Sequence, residues 1–208
     1  MNTLVTTTMF EGGYFGVTDE RRKIQEWGLR SYAELNMRVV LLNTTKVTYW
    51  KDIARELMNY DVAAKISSDV ILKEPISKVF DFLRTIDEPA AAVSHQRVFN
   101  QDEYPNFSNA EIPPYYGIPC FIGNRAFWTH WYEVVDPKLC NYASPEDNFL
   151  LSFMNQYYPN TSFDFTDHKC VFHPEHGSRP LGVNTLNQGI EMESKYCGIP
   201  SNKINFLK

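Results

Sequence analysis

The sequence predicts an α/β protein with a mixed, mostly parallel central sheet flanked by helices. Short apolar runs alternate with segments of helical periodicity between residues 4 and 85, an order typical of parallel strands joined by right-handed crossovers. The run at 62–66 is mostly small or β-branched, as in a strand covered on both faces. A hydrophobic fraction of 43% in 208 residues is ample for one packed core.

The first half of the chain provides the parallel part of the predicted sheet. Alternating apolar residues and threonines at 4–9 predict the first strand, which three glycines within 10–16 end because glycine adopts positive φ. A helix is predicted from about residue 20 and a second strand at 37–42, followed by a helix at 49–58 and the buried strand at 62–66. The apolar stripe of the first helix consists of Ile24, Trp27, Tyr32 and Leu35.

The second half adds further strands and helices around a long loop. Ser77 is predicted to cap a helix that runs to about Thr85. The polar loop at 100–118 is rich in proline and tyrosine, and its length favours a binding function. The remaining predicted elements are strands at 90–98, 118–123 and 171–172 and helices at 126–135 and 145–157, with Trp128 and Trp131 in the core.

Charge and cysteine content exclude several classes of protein. The net charge of −5 argues against a nucleic-acid-binding protein, which normally carries a basic face. The four cysteines form no CxxC pair and are predicted to be reduced, buried thiols. No segment approaches the roughly 20 apolar residues of a membrane span, and the first ten residues lack the features of a signal peptide. We therefore expect a cytoplasmic protein without a membrane span.

The strand at 62–66 leads directly to Ser67-Ser68-Asp69 and a second apolar run. An acid at the end of a buried strand lies at the carboxyl edge of the sheet, where open α/β folds bind their ligands. The alternative is that Asp69 only caps a turn.

Two segments of the second half also carry chemical groups. Ser144-Pro145-Glu146-Asp147-Asn148 opens a predicted helix, where acids are favoured by the helix dipole even without a function. The second segment follows the strand at 171–172 and contains His173, His176, Gly177 and Arg179-Pro180. Mn²⁺ accepts carboxylate and imidazole ligands, and arginine donates two parallel hydrogen bonds to phosphate. A solvated surface loop and a hydrolase-type metal site are the alternatives for the histidine cluster between 168 and 176.

These segments together resemble glycosyltransferases of the GT-A fold, in particular retaining enzymes such as glycogenin and bacterial galactosyltransferases. In that family, an Asp-x-Asp motif holds a divalent metal on the diphosphate of a sugar nucleotide. Here Ser67 replaces the first acid of the motif and Asp69 matches the second. Asp147 matches the family's acid beside the transferred sugar, and Asn148 stands where the family has glutamine.

The closing segment resembles the family's strand, metal-binding histidine, glycine and Lys-Pro-Trp. His173, Gly177 and Arg179-Pro180 follow that order, with one extra residue before the glycine, arginine for lysine and Leu181 for tryptophan. The resemblance implies Mn²⁺ (or Mg²⁺) as cofactor, held by Asp69 and His173, with His176 as the alternative ligand. The other implied sites are catalytic Asp147 and Asn148, donor-binding Thr7, Thr8, Phe10, Ser67 and Arg179, and acceptor-binding Tyr115 and Tyr116.

The resemblance implies a metal-dependent, retaining transfer of a sugar from a nucleotide donor, expected to be UDP-linked, to a glycan or protein acceptor. Because Ser67 replaces an acid, a non-catalytic module that binds sugar nucleotides or carbohydrates is the alternative. The organisation expected is one domain over 1–208, with a nucleotide-binding half at about 1–75, an acceptor and catalytic half at about 76–181 and a tail at 182–208. Compact members occur in bacteria and in large DNA viruses of algae, and this chain resembles a catalytic domain from such a virus, acting in glycan biosynthesis in the host cytoplasm.

Overall fold

The computed structural model describes residues 1–7, 19–43, 49–68, 70–97, 116–135, 146–172 and 200–205. Within these ranges the strands are β1 (Thr3–Thr7), β2 (Arg38–Leu42), β3 (Val62–Ile66), β4 (Ile71–Leu72), β5 (Ala91–Arg97), β6 (Tyr116–Asn124), β7 (Ser162–Asp164), β8 (Val171–Phe172) and β9 (Asn202–Lys203). The helices are α1 (Asp19–Glu34), α2 (Tyr49–Leu57), α3 (Ile76–Arg84), α4 (Arg125–Val134) and α5 (Glu146–Tyr157), and a single 3₁₀ turn covers Thr166–His168.

The central sheet has seven strands in the order β2-β1-β3-β6-β5-β7-β9. Strand β6 runs antiparallel to both of its neighbours, and every other pair in this sheet is parallel. Strands β4 and β8 form a separate, antiparallel two-stranded sheet. The predicted fold class, a mixed and mostly parallel sheet flanked by helices in the manner of the GT-A fold, is confirmed.

The two faces of the central sheet carry separate hydrophobic cores. Leu4 and Ala64 point to the face covered by α1 and α3, whereas Val5 and Ala63 point to the face covered by α2, α4 and α5. This alternation is the period of two that a strand requires. All five residues of β3 are buried because helices cover both faces, as the run at 62–66 predicts.

Helix α1 turns most of the predicted apolar stripe to the core and differs from the prediction at Trp27. Ile24 and Tyr32 are buried as expected, but Trp27 is 61% exposed. Gly28 and Ser31 lie on the buried side instead, because the helix packs through its backbone and small polar groups against the segment that leads into β4.

Helix α3 begins without a side-chain cap, so the predicted capping role of Ser77 is wrong. The N-cap position is Pro75, which makes no capping hydrogen bond from its side chain. Ser77 is the second residue of the helix, and its Oγ donates to Glu74 Oε2 at 2.6 Å. Burial of Val79, Phe80 and Leu83 against the sheet holds this helix in place.

Asn124 connects the end of β6 with the segment before β5. Its Oδ1 accepts hydrogen bonds from Phe127 N and Ala90 N, both at 3.1 Å, and thereby caps α4. Its Nδ2 donates to Glu88 O at 2.7 Å. Trp128, one turn later, is fully buried and donates to Ala63 O at 3.0 Å, and Trp131 is buried too, so the prediction of two core tryptophans is confirmed.

Several remaining expectations concern lengths and termini. Strand β6 begins at Tyr116, two residues before the predicted start, and β9 lies within the stretch treated as a tail. Cys120 and Cys170 are free and buried, as predicted, whereas Cys140 and Cys197 lie outside the described residues. A search of the described helices finds none that is both long and apolar enough to cross a membrane.

Candidate ligand site at the carboxyl edge of the sheet

The carboxyl edge of the sheet collects the ends of several strands. Strands β1, β2 and β3 are mutually parallel and therefore end together, at Thr7, Leu42 and Ile66. Strand β5 has the same direction because it and β3 both pair antiparallel with β6. This edge is where a parallel α/β sheet presents loops to a ligand.

Two of the predicted donor-binding residues lie at neighbouring strand ends on this edge. Thr7 is the last residue of β1 and is 8% exposed. Ser67 directly follows β3, is half-buried, and its backbone N donates to Pro119 O at 2.9 Å. The structure thus places these two residues at the ends of paired strands.

Thr6 is a residue at this edge that the sequence analysis missed. It is 2% exposed, and its Oγ1 has no hydrogen-bond partner among the described residues. A buried hydroxyl without a partner carries a desolvation cost unless a ligand or water satisfies it. The only sequence signal for it is the run of threonines at 6–8, in which neighbouring residues point to opposite faces.

Lys65 is a buried basic residue near the end of β3, two residues before Ser67. It is 2% exposed, and its Nζ lies 5.9 Å from the centroid of the Phe121 ring. Burial raises the pKa of the nearby Cys120 thiol, and the charge of Lys65 offsets only part of that rise.

Strand β4 pairs with β8 close in sequence to two of the predicted metal ligands. Val70, directly before β4, is fully buried. Ile71 lies opposite Phe172 and Leu72 opposite Val171. The first residue of β4, two positions after Asp69, therefore lies opposite the last residue of β8, which directly precedes His173.

Helix α5 begins on the carboxyl side of the sheet. It packs antiparallel to α4, as the ring centroid distances of 5.7 Å for Phe127–Tyr158 and 5.1 Å for Trp131–Phe153 show. Because α4 starts at the amino edge, directly after Asn124, the first turn of α5 lies toward the opposite edge. Asp147 and Asn148 belong to that first turn.

The other predicted site residues have no described position. Thr8, Phe10, Asp69, Tyr115, His173, His176 and Arg179 lie outside the described residues. Tyr116 belongs to strand β6, opposite Arg97 of β5, rather than to a loop. Among the described residues no group of three or more His, Cys, Asp or Glu side chains is placed to hold a metal ion.

His168 is the one residue of the predicted histidine cluster that the described part of the chain includes. It closes the 3₁₀ turn, and its Nε2 donates to Ile204 O at 2.8 Å. This contact ties the turn to the segment that follows β9. Donation from one ring nitrogen to a backbone carbonyl is compatible with metal ligation through the other nitrogen.

Comparison with solved structures supports the fold. The crystal structure of a glycosyltransferase involved in the glycosylation of the major capsid of PBCV-1 superimposes with a TM-score of 0.52 and 10% identity, covering 85% of this chain and 96% of that one. The crystal structure of mouse xyloside xylosyltransferase 1 gives a lower TM-score of 0.44 at 9% identity, over 87% of this chain and all of that one. No protein-family model and no curated protein matches the sequence. At such identities the first similarity shows that the chain shares the fold of that glycosyltransferase.

Proposed function

We propose that this protein is a glycosyltransferase that moves a sugar from a UDP-linked donor to a glycan or protein acceptor, with a divalent cation at the donor diphosphate. The observation that carries the proposal is the pairing of β4 with β8, in which Ile71, two residues after Asp69, lies opposite Phe172, which directly precedes His173. Support also comes from the shared fold, because the matching PBCV-1 protein is a glycosyltransferase.

The proposed donor site occupies the carboxyl edge of the sheet. Thr7 and Ser67 end adjacent strands there, and we assign them, with Thr8 and Phe10, to the nucleotide. Arg179 is assigned to the diphosphate because its guanidinium fork matches phosphate oxygens.

The proposed metal site uses Asp69 and His173, with His176 as the alternative. A carboxylate and an imidazole are a donor set that Mn²⁺ accepts, and two protein ligands leave positions for diphosphate oxygens. When bound, the cation would supply charge stabilisation to the leaving diphosphate. Because Ser67 replaces the usual first acid, we expect metal and nucleotide to bind together rather than metal alone.

The proposed transfer is electrostatic on the protein side. The first turn of α5 points toward the carboxyl edge, so Asp147 and Asn148 are assigned to positioning the sugar and stabilising the positive charge that develops on it. Tyr115 and Tyr116 are assigned to the acceptor, because aromatic rings stack on the apolar faces of sugars. In the proposed reaction the diphosphate leaves and the acceptor attacks on the same face of the sugar, so that the configuration is retained.

Calorimetric titration of UDP, with and without Mn²⁺, tests the donor site. We expect binding that requires Mn²⁺ in the wild type and is lost in Asp69→Ala, since one of two protein ligands to the cation is removed. Asp61→Ala is the matched control, because Asp61 is an exposed acid beside the amino end of β3 that pairs only with Arg125 at 2.7 Å among the contacts described. Ser67→Asp restores the first acid of the motif, and this variant is expected to bind Mn²⁺ without UDP.

The outcomes separate the proposed enzyme from its alternative. UDP binding that is indifferent to Mn²⁺ and to Asp69 would favour a non-catalytic sugar-nucleotide-binding module. Absence of UDP binding would remove the UDP-linked donor from the proposal. Metal-dependent binding would be followed by measurement of UDP release from a panel of UDP-sugars.

A further inference from the structure

Helix α1 contacts the backbone just after residue 69 more closely than an ordinary helix can. A Cβ added at Gly28 would lie 2.3 Å from Val70 O, so only glycine permits this approach. Glycine inside a helix is unfavourable relative to alanine. The helix thus carries an unfavourable residue where its backbone approaches this carbonyl.

Two side chains of α1 hold the same segment by hydrogen bonds. Tyr32 Oη donates to Val70 O at 2.5 Å, and the tyrosine is 2% exposed. Ser31 Oγ accepts from Leu72 N at 3.1 Å and donates to Gly28 O at 2.7 Å. The carbonyl of Val70 and the amide of Leu72 are therefore both satisfied by the helix rather than by a strand.

The opposite side of the segment is held by β8. Ile71 pairs with Phe172, and Lys73 N donates to Cys170 O at 2.9 Å. Residues 70–73 are consequently fixed between α1 and β8, while residue 69 directly precedes them. Such support is what a weakly charged metal site requires, because supporting hydrogen bonds orient its ligands.

We propose that Tyr32 and Ser31, with Gly28 as the contact point, are positioning residues that fix the backbone of Val70 and Leu72, directly after Asp69 in the sequence, for metal and diphosphate binding. This inference rests on the proposed function. These residues touch neither metal nor nucleotide and act only through the backbone of Val70 and Leu72. With a single acid left in the motif, the site depends on the placement of that acid more than a two-acid site does.

The test uses Tyr32→Phe, which removes one hydroxyl and keeps the ring. We expect the Mn²⁺-dependent affinity for UDP to fall by about 10- to 100-fold, the usual effect of removing an outer hydrogen bond at a metal site, while any metal-independent UDP affinity is unchanged. Tyr60→Phe is the matched control, since Tyr60 also donates its hydroxyl, to Glu56, but precedes β3 at the amino edge. Ser31→Ala is the second variant and should act in the same direction.

Hydrogen exchange provides a readout that does not depend on the nucleotide. Amides of the peptide covering 68–73 should exchange faster in Tyr32→Phe and Ser31→Ala than in the wild type or Tyr60→Phe, with the rest of the sheet unchanged. Wild-type affinity in Tyr32→Phe, or equal losses with and without Mn²⁺, would overturn the positioning role and leave the proposed function intact. Absence of Mn²⁺-dependent UDP binding in the wild type would overturn both the positioning role and the proposed function. The wild-type measurement therefore distinguishes failure of the proposed function from failure of the positioning role alone.

Discussion

Asp164 is a buried carboxylate that three hydrogen bonds keep charged. Its side chain is 1% exposed, and it accepts from Thr166 N at 2.8 Å, from Thr166 Oγ1 at 2.6 Å and from Lys203 Nζ. Burial acts to raise the pKa of Asp164, but the hydrogen bonds from Lys203 and Thr166 outweigh it, and the net pKa lies below the ordinary value of 3.8. The carboxylate thereby joins β7 to the 3₁₀ turn and to β9.

This lowered pKa makes part of the folding stability depend on pH. The stabilisation is fully present above the ordinary pKa of 3.8 and is lost as the pH falls through the lower pKa of the folded state. We expect Asp164→Asn to lower the free energy of unfolding by about 1–3 kcal/mol at neutral pH, with the difference from wild type shrinking below pH 3.8. Urea unfolding over a pH series measures it, and Asp167→Asn serves as control because that carboxylate is exposed and 3.6 Å from Lys203. A difference that stayed constant with pH would contradict this assignment.

At the scale of an element, α1 shows tertiary contact overriding helix propensity. Its buried side includes Ile24 and Tyr32 of the predicted stripe together with Gly28 and Ser31, whereas Trp27 is exposed. Gly28 and Ser31 face inward because they meet the backbone of Val70 and Leu72, and such polar contacts leave no apolar period in the sequence.

Replacement of Gly28 separates the effect of helix propensity from the effect of the close contact with Val70. Alanine is favoured over glycine in a helix by about 1 kcal/mol, yet its Cβ would meet Val70 O at 2.3 Å. We expect Gly28→Ala to destabilise the protein by about 1–3 kcal/mol, the usual cost of overpacking, as measured by urea unfolding.

The control is the reverse substitution at an exposed position of the same helix. Ala33→Gly should cost about 1 kcal/mol through propensity alone. A Gly28→Ala variant more stable than the wild type would show that the close approach to Val70 relaxes freely.

At the scale of the whole molecule, the described sheet and its two cores are expected to unfold as one unit. Cys120 lies within β6 and Cys170 directly precedes β8, and both are buried in the core between the sheet and α1 and α3. Burial raises the pKa of Cys170 to about 12 and raises that of Cys120 as well. Because the thiolate is the reactive form, both thiols are inert in the folded protein.

Alkylation followed by peptide mass spectrometry tests that cooperativity. We expect Cys120 and Cys170 to remain unmodified by iodoacetamide in the native protein at mildly alkaline pH. Both should become modified over the same range of urea concentration, which should coincide with loss of circular dichroism. Modification of Cys170 at lower urea than Cys120 would show instead that the β4–β8 pair opens independently of the central sheet.

Local sequence patterns predicted much of this fold. Helices α2, α4 and α5 and the buried strand β3 follow from apolar periodicity, since burying an apolar face requires that period in any fold. Strands β7 and β9 were not predicted because Ser162-Phe163-Asp164 and Asn202-Lys203 contain one apolar residue between them and form no apolar run. For the site, the sequence identified the edge to which β3 leads, and the placement of Thr7 and Ser67 on adjacent strands agrees with it.

The sequence by itself determined the fold class, the burial of β3 and the edge of the sheet at which β3 ends, directly before Ser67-Ser68-Asp69. Only the tertiary structure decided that β6 is inserted antiparallel between β3 and β5, that β4 pairs with β8, and that α1 holds Val70. The physical reason is distance along the chain. Periodicity reports which face of one element avoids water, whereas Ile71 meets Phe172 across a hundred residues through backbone hydrogen bonds that every residue can make.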